Sequence, residues 1–142
     1  MGEARYYMKV YFQTEQDVLQ NLPKIMAFWE EGIKAEDWWQ THRGESSAIF
    51  WAAFEQEFPL VSEMLRQANL FGGDCNNDLA GHLDFGDSGD YCIEEAGNSI
   101  LINATVWHFA NWDIQKAFIL HEFQALAVNW LSDEYLNPFD LL

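Results

Sequence analysis

Two stretches far apart in this 142-residue chain alternate apolar and polar residues strictly, and they constrain the fold more than any other feature. In the first, Tyr6, Met8, Val10 and Phe12 alternate with Arg5, Tyr7, Lys9, Tyr11 and Gln13. In the second, Ile100, Ile102, Ala104 and Val106 alternate with Leu101, Asn103, Thr105 and Trp107. A period of two sends successive side chains to opposite faces, so each stretch predicts a strand with one face in a core.

Between these strands the pattern turns helical. Thr14 followed by Asp17 three residues on resembles a capping box with the shorter acid, so a helix begins there, and Pro23 is expected to kink or restart it before Gly32. A short helical piece over 36–40 and a loop at His42-Arg43-Gly44-Glu45 follow. Ser46 or Ser47 then caps a helix carrying Ile49, Phe50, Ala53 and Phe54, and Pro59 divides it from a second segment with Val61, Met64, Leu65 and Ala68. From Asn69 to Asp90 the chain is rich in Gly, Asp and Asn and reads as a long loop. His82 to Phe85 is expected to form a short strand, Gly86-Asp87-Ser88-Gly89 a turn, and Asp90 to Glu95 a strand that Gly97-Asn98 turns into the next. Asn111 caps an expected helix from Trp112 to about Leu131, with Gln115, Glu122 and Asn129 as a narrow polar stripe. The tail is turn-like at Asn137-Pro138.

This order predicts an α+β fold of one domain, residues 1–142: a mainly antiparallel sheet of about four strands, the first strand plus a C-terminal meander, with helices packed on one face. The other face, with Tyr7, Lys9, Tyr11, Asn103, Thr105 and Trp107, is then open to contact unless a second helical layer or a dimer covers it.

The second constraint is charge. The formal net charge is −16, with 7 basic residues against 23 acidic, in a chain that is 49% hydrophobic and 16% aromatic. Such a composition is too apolar for a disordered acidic tail. Residues 67–142 hold one basic residue, Lys116, against twelve acidic ones. Crowded like charge destabilises a compact state, and steered encounter with a basic surface is one function that repays it; solubility alone is the bland alternative. Direct nucleic-acid binding is disfavoured because phosphate contact needs Lys and Arg clusters, and anionic membrane would repel the chain. No apolar leader or run of about 18 apolar residues is present, which makes a cytoplasmic location the default expectation. Cys75 and Cys92 are expected to be free thiols.

Motifs for chemistry fail on inspection. Gly86-Asp87-Ser88-Gly89-Asp90 resembles the nucleophile loop of chymotrypsin-like serine proteases, but the likeness ends there and no His-containing partner motif precedes it. Asp74, Asn76 and Asp78 have the opening spacing of a calcium loop, yet Leu79 replaces the turn glycine and Phe85 the closing Glu. His121-Glu122 lacks the second His of a zinc protease, because Ala125 stands one turn on; His121 is expected in the core. Asn137-Pro138-Phe139 and Asp140-Leu141-Leu142 resemble short eukaryotic endocytic adaptor ligands, at a length where chance matches are common. No cofactor or metal is implied.

The sequence therefore points to a non-enzymatic acidic binding protein that neutralises a basic protein partner, such as a nuclease or toxin, in the manner of an immunity protein or a nucleic-acid mimic. Its expected contact surface is Asp74, Asp78, Asp84, Asp87, Asp90, Glu94 and Glu95, anchored by Tyr91 or Trp107. The alternatives are a small metal-dependent hydrolase with a carboxylate-lined cleft, or an oligomeric structural protein.

Overall fold

The computed structural model describes residues 2–76 and 79–133. Four strands, β1 (Glu3–Tyr11), β2 (Tyr91–Ala96), β3 (Ser99–Trp107) and β4 (Ala127–Ser132), form one antiparallel sheet in the order β2-β3-β1-β4. Four helices, α1 (Glu15–His42), α2 (Ser47–Glu57), α3 (Pro59–Gln67) and α4 (Asp113–Glu122), complete an α+β fold with helices packed against the sheet. The connectivity is that of the split βαβ motif, with α2 and α3 added after the first helix.

Both alternating stretches are strands, paired in register from Glu3 opposite Trp107 to Tyr11 opposite Ser99. Tyr6, Met8, Val10, Ile100, Ile102, Ala104 and Val106 are buried, while Arg5, Tyr7, Lys9, Tyr11, Leu101, Asn103 and Thr105 on the outward face are half-buried. The Thr14 hydroxyl accepts from the Asp17 backbone N–H at 3.1 Å, as the capping pattern predicts. Pro59 begins α3, and α2 ends two residues earlier, at Glu57.

Several local expectations are corrected. Pro23 does not break α1, which runs on through Gly32 to His42. It lies in the third turn, and the helix continues because its inward residues Val18, Ile25, Phe28 and Trp29 are held in the core. The expected helix over 112–131 is a shorter helix and then a strand. α4 stops at Glu122, and β4 lays Val128 opposite Val10 and Trp130 opposite Met8. Ala, Leu and Phe in 117–126 favour helix locally, but pairing with the second edge of β1 outweighs that preference. Gln115, expected on a polar stripe, is fully buried and donates to the His82 carbonyl at 2.6 Å; His121, expected in the core, is exposed.

His82 to Phe85 is not a strand either, because its carbonyls bond to side chains. Trp112 Nε1 donates to the Asp84 carbonyl and Trp29 Nε1 to that of Phe85, at 2.9 and 2.8 Å. Trp39 and Trp51 donate likewise to Cys75 and Gly73. Four indoles from α1, α2 and the start of α4 thus satisfy the backbone of the glycine-rich loop, each bond contributing about 1 kcal/mol net. Leu79, Leu83 and Phe85 from the same loop are fully buried.

Gly32 exists for this packing. A Cβ there would come within 2.5 Å of the Phe85 ring, which also contacts Phe28 and Trp29 edge-on. Gly32→Ala is therefore expected to destabilise the protein by about 1–3 kcal/mol, although alanine is ordinarily the better helix former by about 1 kcal/mol. A urea midpoint higher than that of the parent would refute the packing argument.

A cross-helix cap joins α1 to α3. Glu31 accepts from the Val61 N–H at 2.6 Å, so its carboxylate sits at the positive start of α3. Burial nonetheless raises its pKa above the ordinary range, against the opposing pull of the backbone bonds.

Candidate functional site

At one end of the sheet, the loop pinned by the tryptophans brings Asp84 and Asp87 against the start of β1 and the end of β3. Glu36 reaches the same place from the middle of α1. Together with Glu3, Thr105 and Trp107 these residues line a narrow notch of about 40 Å³. Glu36 and Trp107 also border a shallower cleft of about 260 Å³ with Trp39, Arg43, Ala80 and Phe109.

The notch is electrostatically costly. Burial, and then repulsion from Asp84, Asp37 and Asp87, pushes the Glu36 carboxyl up to about 8. No hydrogen bond or ion pair from a described residue reaches that carboxyl. Asp84 is only 3% exposed, and burial raises its pKa, while backbone N–H groups of Trp107 and Gly86 pull the other way. The Trp107 bond fixes the loop to β3, and the Gly86 bond closes a turn within the loop. Gly86 is the hinge of that attachment: its φ is +107°, and a Cβ would lie 2.5 Å from that of Ala104.

Above the notch stand two exposed aromatic rings. Trp107 is 50% and Phe109 55% exposed, and their rings stack nearly parallel with centroids 6.5 Å apart. Carboxylates beside an exposed aromatic pair can receive an ammonium or guanidinium group by charge and by contact with the ring faces.

The structure brings together Asp84, Asp87 and Trp107 of the residues nominated from sequence, and separates the rest. Asp84 is corrected from a surface contact to a buried brace, since it spends both oxygens on backbone donors. Asp87 is exposed. Asp90 lies outside the notch and is paired: Arg5 Nη1 reaches it at 2.7 Å and the Thr105 hydroxyl at 2.6 Å. The Thr105 bond first, and then Arg5, hold its carboxyl below the usual range. The basic partner comes from the other half of the chain, because β1 delivers Arg5 beside β3. Tyr91 is half-buried and packs against the core. Asp74 is exposed and accepts from the Asn76 N–H in its own turn. Glu94 and Glu95 are exposed on the edge strand β2, on opposite faces, Glu95 beside Glu15 and Leu19. Asp78, the Asn137-Pro138 turn and the tail motifs lie outside the described residues.

Sequence reasoning missed Glu36 and Phe109. Phe109 follows Trp107 by two residues just beyond a strand, which is a legible sign of an exposed ring. Glu36 carried no such sign, because only the path of α1 past the loop places it. Cys75 is buried and Cys92 exposed, and both are free thiols. Among the described residues no group of three or more His, Cys, Asp or Glu side chains is arranged to hold a metal ion, and no helix is long and apolar enough to cross a membrane. Comparison with protein families, with curated proteins and with solved structures finds no match to this chain.

Proposed function

We propose that this protein is a non-enzymatic acidic binding protein that neutralises a basic protein partner, as immunity proteins and nucleic-acid mimics do, and that it acts in the cytoplasm. The observation that carries this reading is the notch: Glu36 is held beside Asp84 and Asp87 without a compensating cation from the described residues, next to an exposed, stacked Trp107–Phe109 pair. A fold retains uncompensated repulsion more readily when a bound cationic group relieves it. The net charge of −16 supplies long-range steering toward such a partner, and the two rings supply the apolar contact that slows its departure.

The contact surface is accordingly redrawn around Glu3, Glu36, Asp87, Trp107 and Phe109, with Asp84 beneath it. The test is affinity capture from lysate of the source organism and its competitors, washed first at low and then at high salt, followed by kinetics on the captured protein. One basic protein should survive the high-salt wash. With that partner, and measured above pH 8 where the Glu36 carboxyl is ionised, the double change Glu36→Gln/Asp87→Asn should slow association by roughly threefold to tenfold and flatten its salt dependence, whereas Trp107→Ala should act mainly on dissociation. A salt-labile mixture of basic proteins, or variants indistinguishable from the parent, would remove the support for this reading.

A further inference from the structure

A cleft of about 560 Å³ lies away from the acidic notch, between the first turns of α1 and the connection from α4 to β4. Such a volume is within the usual range of small-molecule sites, roughly 300–1,000 Å³, but the lining is unusually polar. Gln13, Gln20 and Gln124 are exposed, and their side-chain amides, without a hydrogen-bond partner among the described residues, are open to solvent and to a ligand. Asp17, Lys24 and Glu122 add charges of both signs. The floor is made by the buried rings of Phe12 and Phe123.

Gln124 carries a second, independent sign. Its φ is +54°, and Asn69 is the only other non-glycine residue with positive φ among those described. It follows the C-cap residue of α4, a place where glycine adopts the left-handed conformation without steric cost. Keeping glutamine there sacrifices backbone ease for a side chain that lines the cleft, and strain at such a position is a recognised mark of function.

The geometry points to a binding site for a neutral polyhydroxylated ligand, a saccharide unit, in this cleft. A carboxamide is both donor and acceptor, and so is a hydroxyl, so three free amides and two carboxylates suit a group of neighbouring hydroxyls. An anionic ligand is opposed by two carboxylates against the single Lys24. For a cation the two carboxylates outweigh Lys24 by a single charge, and of the amides it can use only the carbonyl oxygens and leaves the N–H donors idle. An apolar ligand would find Leu126 as the one exposed apolar side chain of the described lining and would strip water from the amides around it. Neither phenylalanine offers an open ring face for stacking, so the affinity belongs in the millimolar range.

The test is a nitrogen-15 NMR titration of the full chain with glucose, galactose, N-acetylglucosamine and maltose, each to about 100 mM. At least one should give saturable shifts at the side-chain amides of Gln13, Gln20 and Gln124, leaving Trp107 unmoved. Gln124→Gly should raise the thermal midpoint and weaken binding at least tenfold; the exposed-surface change Gln20→Ala should weaken binding at unchanged stability. Absence of saturable shifts with all four sugars, or equal affinity in both variants, overturns the inference. The acidic notch is untouched by these changes, so the outcome is independent of the proposed partner.

Discussion

Phe85→Ala is expected to lower stability by about 3–5 kcal/mol, equivalent to a fall of roughly 10–15 °C in the thermal midpoint of a domain this size. Phe85 is fully buried at the end of an irregular loop, with edge-on contacts to Phe28 and Trp29 at 5.4 and 4.9 Å. Its ring lies against Gly32 in the middle of α1, so removal opens a cavity between helix and loop that no neighbour is free to fill. Its carbonyl is also the acceptor of the Trp29 indole, and displacement of the loop would leave that donor buried without a partner. Urea denaturation checks the magnitude. A loss below about 1 kcal/mol would mean that the loop collapses freely onto α1 and does not organise the notch.

Glu36→Gln should change the pH dependence of stability in one direction. The folded protein holds the Glu36 proton up to about pH 8, whereas an unfolded chain releases it near the ordinary 4.5. The folded state therefore binds more protons across that window, and stability falls as pH rises through it, levelling off above the folded value. Full linkage over such a window approaches 5 kcal/mol, but the carboxyl retains contact with water, and a penalty of about 1–3 kcal/mol is expected. Glutamine has no charge to bury. The variant should match the parent near pH 5 and exceed it by about 1–3 kcal/mol above pH 8. Parallel stability curves would show that the notch is better hydrated than its geometry implies. Asp84, also raised by burial, contributes a slope of the same sign.

The parts of this fold that could be read in advance are those decided within a few residues. The alternation of β1 and β3, the Thr14 cap and the break at Pro59 each rest on local chemistry. β4 could not be read that way. Ala125, Leu126 and Ala127 suit a helix, and only the unpaired edge of β1, more than a hundred residues earlier, makes Ala127–Ser132 a strand. The loop before β2 was legible as irregular but not as buried, because its carbonyl partners are indoles on three different helices. For the site, acidity alone nominated Asp84, Asp87 and Asp90 as equals. Distance separates them into a brace, a free surface charge and half of an ion pair.

The position of β1 between β3 and β4 also sets an order of events. On a ribosome, β1 emerges before either neighbour exists, and both of its edges stay unsatisfied until residues 99–132 have been made. The helices α1 to α3 can assemble locally in the meantime, but the sheet must close long loops before its pairings are rewarded. Folding should therefore be slow for a domain of this size and reached late in synthesis. Until then the Tyr6–Met8–Val10 face is an open apolar strand that a holding chaperone could shield.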